Sequence, residues 1–219
     1  VRLSGFMEVT AEDVELKDKS GAVVFVAPQV SVRISLFDLI RHYSDAPLRA
    51  VSSIEVGKGS KVFFHRYENK DWNVHGLLKP SADTQPAFFA RTYISGAMVS
   101  LVMPEGQWLF DLSGYVDAVA NPAFDFDLLL KQGKDKISFI GRLDSNGQGT
   151  VRSVADSVDL AEFSPLLQEY TDLQDLQGFV KNLRLVWENK GAGGNFDGDL
   201  MLVVVKVRYS YGEDSLQLD

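Results

Sequence analysis

The sequence contains no cysteine among its 219 residues. This absence excludes disulfide bonds, thiol catalysis and thiolate metal sites. The sequence also lacks an uninterrupted apolar stretch of the roughly 20 residues that a membrane-spanning helix requires. Its densest apolar run, 200–207, is interrupted by Lys206. We therefore expect these residues to fold in water.

Positive charge is scarce as well. Lysine and arginine number 22 against 30 aspartate and glutamate residues, which gives a net charge of -8. A chain of this charge lacks the positive field that drives nucleic-acid binding. Hydrophobic residues make up 45% and charged residues 24%, close to the globular average, so the composition excludes a disordered chain.

The dominant hydrophobic period is two. Val30, Val32 and Ile34 alternate with Ser31 and Arg33, as a half-buried strand requires. The same alternation recurs within 108–117, 124–130, 137–143 and 183–187. Because parallel strands are buried on both faces and give continuous apolar runs, this pattern predicts an antiparallel sheet.

Turn signals rich in glycine and asparagine separate the strands and predict roughly thirteen to sixteen of them. One of these predicted turns is Gly57-Lys58-Gly59. Two short helices are predicted. One is capped by Ser35 and extends to about Tyr43, and the other spans 159–170, with Ser164 as a cap and Pro165 in its first turn. We expect one continuous unit over 1–219, with a loop or sub-boundary at 81–87.

Residues with recognisable chemistry are few and scattered. His42, His65 and His75 do not have the spacing of paired metal ligands. The loop that begins at Asp144 lacks the twelfth-position glutamate of a calcium loop, and the glycine-rich stretch 191–194 is not followed by the lysine of a phosphate loop. The sequence therefore predicts no metal, no cofactor and no catalytic residues, and a protein that is not an enzyme.

The abundance of apolar residues on one face of each strand needs a structural explanation. The strands could form a sandwich in which two halves pack together, a barrel closed around one small ligand, or a curled sheet left open as a trough for acyl chains. The alternation of apolar and polar residues is compatible with all three.

The order of the segments is more specific. A strand leads into the stretch Ala27 to Ile40, then Ile54-Glu55-Val56, then Lys70-Asp71-Trp72-Asn73. This order resembles the N-terminal region of the AsmA/TamB-like proteins of diderm bacteria, although that family usually has a glycine before the tryptophan. Further along, Gly106-Gln107-Trp108 and the stretch 178–183 resemble the repeats of the same family.

The resemblance implies a mainly β fold. It would be a long curled antiparallel sheet that forms a taco-like open groove with an apolar interior and carries two short helices. It also implies a periplasmic location and an inner-membrane anchor in a segment outside these residues, which a start at Val1 fits. The family, which includes the translocation and assembly module, is associated with outer-membrane biogenesis and with phospholipid transport between the two membranes.

The expected partners are phospholipid acyl chains, neighbouring repeats of the same chain and an outer-membrane protein of the Omp85 class. An alternative function stays open, in which the protein is a scaffold or chaperone that pairs its sheet edge with strands of outer-membrane β-barrel proteins. For the lipid groove we expect these lining residues: Val30, Val32, Ile34, Val99, Leu101, Phe110, Leu112, Phe124, Phe126, Leu128, Ile137, Phe139, Leu183, Leu185, Leu200 and Leu202.

Overall fold

The fold was analysed in a computed structural model of the chain. The structure describes residues 6–18, 20–42, 47–67, 72–73, 90–104, 106–118, 123–144, 147–162, 173–191, 194–211 and 214–218. The predicted sub-boundary at 81–87 and His75 lie outside these residues. None of the helices in the described ranges is long and apolar enough to cross a membrane.

Most of the described chain is strand. The strands are β1 (Phe6–Lys17), β2 (Val23–Ser35), β3 (Val51–Val56), β4 (Lys61–His65), β5 (Arg91–Met103), β6 (Gly106–Asp117), β7 (Phe124–Gln132), β8 (Asp135–Leu143), β9 (Gly149–Asp159), β10 (Leu173–Asn189), β11 (Gly194–Tyr211) and β12 (Asp214–Leu218). The described strands are fewer than the sequence predicts because β10 and β11 are 17 and 18 residues long.

All the described strands belong to one sheet in the order β1-β2-β3-β5-β6-β7-β8-β9-β10-β11-β12, with β4 lying between β2 and β5. The predicted mainly β fold, a long curled sheet with two short helices, is confirmed. Most neighbours are antiparallel, as predicted, but β5 runs parallel to both β3 and β4. The prediction of a wholly antiparallel sheet is wrong at these two pairs.

The parallel pairs arise because β3 and β4 form one interrupted line rather than a hairpin. Both pair antiparallel with β2 on one side and parallel with β5 on the other. Between them, the Ser60 hydroxyl donates to the Gly57 carbonyl at 2.6 Å, and the Ser60 carbonyl accepts from Met98 N at 2.8 Å. The predicted hairpin turn at 57–59 is therefore a break within a strand line.

Both described helices are short. Helix α1 (Leu36–His42) begins where predicted, and the Ser35 hydroxyl accepts a hydrogen bond from Asp38 N at 3.2 Å, as an N-cap does. A 3₁₀ helix, Pro47–Ala50, leads into β3. Within the predicted second helix, residues 160–162 are helical, and 163–170, with the predicted Ser164 cap, lie outside the described residues.

Close strand approach in the sheet depends on glycine. Gly114 of β6 has a φ of 130°, and a Cβ built there would lie 2.0 Å from the carbonyl oxygen of Asp127 on β7. Gly198 of β11 is similar, with a φ of 157° and the Arg184 carbonyl oxygen at 2.0 Å. Side chains cannot occupy these positions without moving the neighbouring backbone, so the glycines permit the local bending that a curled sheet requires.

Candidate functional site

One face of the sheet is crossed by two rows of directly paired residues, which project from the same side of a ladder. The first row runs through Val9, Val32, Ile54, Thr92, Val116, Phe126, Gly141, Val151, Trp187 and Phe196. The second row runs through Ala11, Val30, Val56, Ile94, Gly114, Leu128, Phe139, Ser153, Leu185 and Gly198. We call these residues, and those that alternate in step with them, the apolar face.

The opposite side of the sheet carries rows of mostly polar and charged residues. One row runs through Glu8, Arg33, Ser53, Arg91, Asp117, Asp125, Arg142, Thr150, Glu188 and Asn195. The row beside it is also mostly polar, with Thr10, Ser31, Glu55 and Asp127 among its members. We call this side the polar face. In the described strands from β1 to β11, the two rows on one side are thus mostly apolar, with Thr92 and Ser153 among them, and the rows on the other side are mostly polar.

Opposite charges on the polar face lie beside one another. Arg91 Nε donates to Asp117 Oδ2 at 2.7 Å, a second guanidinium nitrogen bonds the same oxygen, and the Arg91 Cζ lies 4.9 Å from the centre of the Tyr115 ring. The Asp117 carboxylate raises the pKa of Arg91 above its ordinary value. Asp125 and Arg142 approach to 3.6 Å. These charges offset one another and keep the face well solvated.

The register places nearly all of the predicted groove residues on the apolar face. Val32 and Phe126 lie in the first row, and Val30, Leu128 and Phe139 lie in the second. Most of the other predicted residues alternate in step with members of a row on their own strands. Val99 and Leu101 do not, because the register shifts between Ser95 and Ala97, but they pair with Phe110 and Trp108, which are in step on β6. Leu202 pairs with Val180 beyond a register shift between β10 and β11, so its place on this face is not set by the rows.

Burial divides the predicted residues into three groups. Val99 and Phe110 are buried, whereas Leu200 and Leu202 are about half exposed, at 50% and 53%. The remaining ones, Val30, Val32, Ile34, Leu101, Leu112, Phe124, Phe126, Leu128, Ile137, Phe139, Leu183 and Leu185, are partly buried. Partial burial of large apolar side chains is what a face without a second covering layer produces.

A packed cluster lies on part of the apolar face. Val99, Met103, Trp108 and Phe110 are buried together, with other apolar side chains against them, including Phe64, Trp72, Leu101, Leu112 and Leu130. Trp108 Nε1 donates to the Glu162 carbonyl at 2.8 Å, which ties the short helical segment 160–162 to β6. Sequence reasoning did not find this tie, because no local pattern links Trp108 to a residue 54 positions away.

Every strand of the described chain belongs to the same sheet. Away from that cluster, Phe126, Leu128 and Phe139 are only partly buried on it. No pairing recorded among the described residues joins β1 to β11 or β12.

Asn73 is a structural residue that sequence reasoning did not identify. Its side chain is buried, with 6% exposure; Oδ1 accepts from His65 N at 3.0 Å and Nδ2 donates to the Phe63 carbonyl at 2.8 Å. Its backbone N–H donates to the His65 carbonyl at 2.9 Å. Asn73 thus provides hydrogen-bond partners for the backbone groups on the outer edge of β4, at residues that do not pair with β2.

Among the described residues, no group of three or more histidine, aspartate or glutamate side chains is placed to hold a metal ion. The His65 ring lies 4.8 Å from the Tyr67 ring, centre to centre. The two rows of the apolar face extend over ten strands of the described chain, from β1 to β11.

No protein-family model, no curated protein and no solved structure matches the chain.

Proposed function

We propose that the apolar face holds the acyl chains of phospholipids, and that the protein is part of a lipid conduit. In this proposal the chain is a periplasmic segment of an inner-membrane-anchored AsmA/TamB-like protein. It would form a stretch of the hydrophobic groove through which phospholipid passes toward the outer membrane.

The observation that supports the proposal is the pair of mostly apolar rows, with Thr92 and Ser153 as the polar members, that cross the sheet from β1 to β11. Because neighbouring strands lie about 4.8 Å apart, nine steps across ten strands cover about 43 Å. The hydrocarbon core of a bilayer is about 30 Å thick, so each leaflet contributes about 15 Å. The rows are long enough for more than one acyl chain laid end to end.

The free energy of burying acyl chains is sufficient to favour lipid binding without any chemical reaction. Each methylene that leaves water for an apolar surface gains about 0.8 kcal/mol, so a continuous apolar path lowers the cost of carrying a tail across an aqueous space. Contacts of this kind are non-directional and need no specific polar partner, cofactor or catalytic group. The proposed function is therefore non-enzymatic.

Two adjacent residues of β8 provide a matched test. Phe139 lies on the apolar face and pairs with Leu128, whereas Ile140 lies on the polar face, pairs with Asp127 and is 49% exposed. We expect Phe139→Glu to lower the phospholipid bound to the purified protein at least about tenfold, because a carboxylate in an acyl environment costs about 2.5 kcal/mol or more. Ile140→Glu should leave bound lipid unchanged.

Native mass spectrometry and lipid extraction measure the bound phospholipid, and circular dichroism checks that both variants keep their strand content. The proposal is contradicted if the wild-type protein carries no phospholipid when it is purified from a membrane-containing extract in mild detergent. Equal loss of lipid in the two variants would also contradict the proposal, because it would show that the amount of bound lipid does not depend on which face carries the charge.

The second candidate function is the scaffold for outer-membrane β-barrel proteins, acting by β-augmentation with an Omp85-class partner. The specific observation in its favour is that β1 ends the described sheet on one side, and that on the other side β12 pairs with β11 only over Val207 to Tyr211 and leaves the rest of the β11 edge without a strand of the described chain. A scaffold of this kind should be free of lipid after purification and should bind unfolded barrel strands.

A further inference from the structure

Helix α1 turns an apolar face toward the solvent. Because a turn of helix takes about 3.6 residues, Leu36, Phe37, Ile40 and Arg41 share one side of α1. All four side chains are exposed, and the exposed fraction reaches 72% at Phe37 and 81% at Ile40. Asp38, on the other side of the helix, is partly buried. This distribution reverses that of an ordinary surface helix, whose apolar side packs on the core. We call the four exposed residues the outer face of α1.

The outer face lies beside further exposed apolar side chains. Ser35, which caps α1, pairs with Phe6 at the start of β1, and α1 contacts both β1 and β2. Phe6 is 52% exposed and Met7 is 41% exposed. Exposed apolar groups from a helix and from a strand are therefore gathered at the corner of the sheet where β1 begins.

A phospholipid bilayer is the partner that this shape fits. Side chains as exposed as Phe37 and Ile40 project from the surface and do not line a cleft. A bilayer takes up projecting apolar groups without a matching pocket, because its acyl chains are fluid and apolar burial is non-directional. Arg41 is the charged residue on the outer face, and a long arginine stem allows its guanidinium to reach lipid phosphate while its neighbours enter the acyl layer.

A second copy of this chain fits the outer face less well. The four residues of the outer face include no acid that could pair with the Arg41 of another copy. Both copies would also carry a net charge of -8. The same net charge opposes an anionic membrane only at long range, since charges in solution are screened beyond about 8 Å at physiological salt.

We propose that the outer face of α1, together with Phe6 and Met7, inserts into the surface of a phospholipid bilayer. The inference rests on the proposed function in one respect, because it names the bilayer contact at which the lipid conduit would receive phospholipid. Ile34, one of the predicted groove residues, precedes the cap Ser35 directly and pairs with Met7. The bilayer contact would therefore lie next to the first residues of the apolar face.

The absence of cysteine provides a direct test, since one introduced cysteine carries one environment-sensitive dye. The dye is placed at Phe37→Cys and, as the matched control, at Ile140→Cys, because Ile140 is 49% exposed on the polar face. An N-terminal histidine tag holds the protein on vesicles of phosphatidylethanolamine and phosphatidylglycerol that contain a nickel-chelating lipid, so that even a weak contact forms. We expect the dye at 37 to brighten and shift to the blue, and the dye at 140 to keep its aqueous spectrum.

Two further variants separate the outer face from the apolar face. Adding Ile40→Ser to the protein labelled at 37 should shift the equilibrium toward the aqueous state at least about fivefold, because most of the isoleucine side chain leaves water on insertion. Adding Phe139→Glu should keep the dye signal, since it changes the apolar face and leaves α1 intact. Loss of bound phospholipid without loss of the dye signal thus concerns the conduit, and the reverse concerns α1.

Circular dichroism checks that every variant keeps its strand content, and spin-labelled lipids that quench the dye report its depth. The inference is overturned if the dye at 37 keeps its aqueous spectrum on the vesicles, if the dye at 140 shifts as much, or if Ile40→Ser leaves the signal unchanged. A blue shift without vesicles that grows with protein concentration would show a second copy on α1, and it would overturn the inference as well.

Discussion

Phe126 and Gly141 face each other across β7 and β8, and the phenyl ring covers the glycine. A Cβ added to Gly141 would lie 2.8 Å from the Phe126 Cζ and 2.5 Å from the Thr150 carbonyl oxygen. The ring thus occupies the place where a side chain at 141 would stand. An aromatic residue over a strand glycine is one of the devices by which curved sheets keep their register.

The first prediction concerns this pair. We expect Gly141→Ala to lower the free energy of unfolding by about 1–3 kcal/mol, because the methyl group forces the Phe126 ring and the Thr150 backbone apart. Urea denaturation followed by tryptophan fluorescence measures the change.

The control for this variant is Gly133→Asn. Gly133 has a φ of 56°, and its Cβ would meet only the Glu162 Oε1, at 3.8 Å. Asparagine adopts this left-handed conformation readily, so the stability should change by no more than about 0.5 kcal/mol. If Gly141→Ala lowered the free energy of unfolding as little as the control does, close packing of Phe126 on Gly141 would not contribute to the stability of the fold.

The second prediction concerns the edge of β4. Asn73→Ala removes the partners of His65 N and the Phe63 carbonyl, both held by the buried amide. We expect the free energy of unfolding to fall by about 2 kcal/mol, since buried backbone groups left without partners are costly. Hydrogen exchange should show faster exchange at His65.

Ser52→Ala serves as the comparison. The Ser52 hydroxyl also donates to a backbone carbonyl, that of Arg33 at 3.0 Å, but on an exposed site. Its loss should change the stability by no more than about 0.5 kcal/mol. An equal effect of the two variants would count against a special role for Asn73.

The third prediction concerns the turn between β1 and β2 and its response to acid. The Asp18 carboxylate accepts hydrogen bonds from the Ser20 hydroxyl at 2.6 Å, from Ser20 N at 2.8 Å and from Ala22 N at 2.9 Å. The bond from the Ser20 hydroxyl is the main cause that lowers the pKa of Asp18 below its ordinary value of 3.8.

A carboxyl group with a lowered pKa stabilises the fold fully above its unfolded value and loses this contribution as the pH falls through the folded value. The advantage of the wild-type protein over Asp18→Asn should therefore be constant above about pH 5, begin to shrink near pH 4 and continue to shrink below it. Urea denaturation over a pH series measures it, and NMR titration gives the pKa. Ser20→Ala should raise the pKa of Asp18 part of the way back, and a pKa unchanged in that variant would contradict the assignment.

The strands and their faces could be predicted from the sequence because alternation is a local property. Val30, Val32 and Ile34 lie on one face whatever partner β2 finds. The helix after Ser35 was predictable for the same reason, since its cap, the Ser35 hydroxyl, accepts a hydrogen bond from Asp38 N only three residues further along the chain.

The parallel pairs could not be predicted, because they depend on contacts between distant segments. Gly57-Lys58-Gly59 has the composition of a hairpin turn, yet Ser60 and Met98 hold it as a break in one strand line. Asn73 and the tie from Trp108 to Glu162 are non-local in the same way. The packed cluster around Trp108 therefore became visible only in the folded chain.

The central claim is that acyl chains contact one face of the sheet and not the other, and photo-crosslinking along β8 tests it most directly. A photoreactive phenylalanine analogue is placed singly at Ile137, Ser138, Phe139 and Ile140, and phospholipid adducts are counted by mass spectrometry after irradiation in a bacterial periplasm. Positions 137 and 139 face the apolar side. The account predicts lipid adducts at 137 and 139 and none at 138 and 140; adducts at all four positions, or at none, would contradict it.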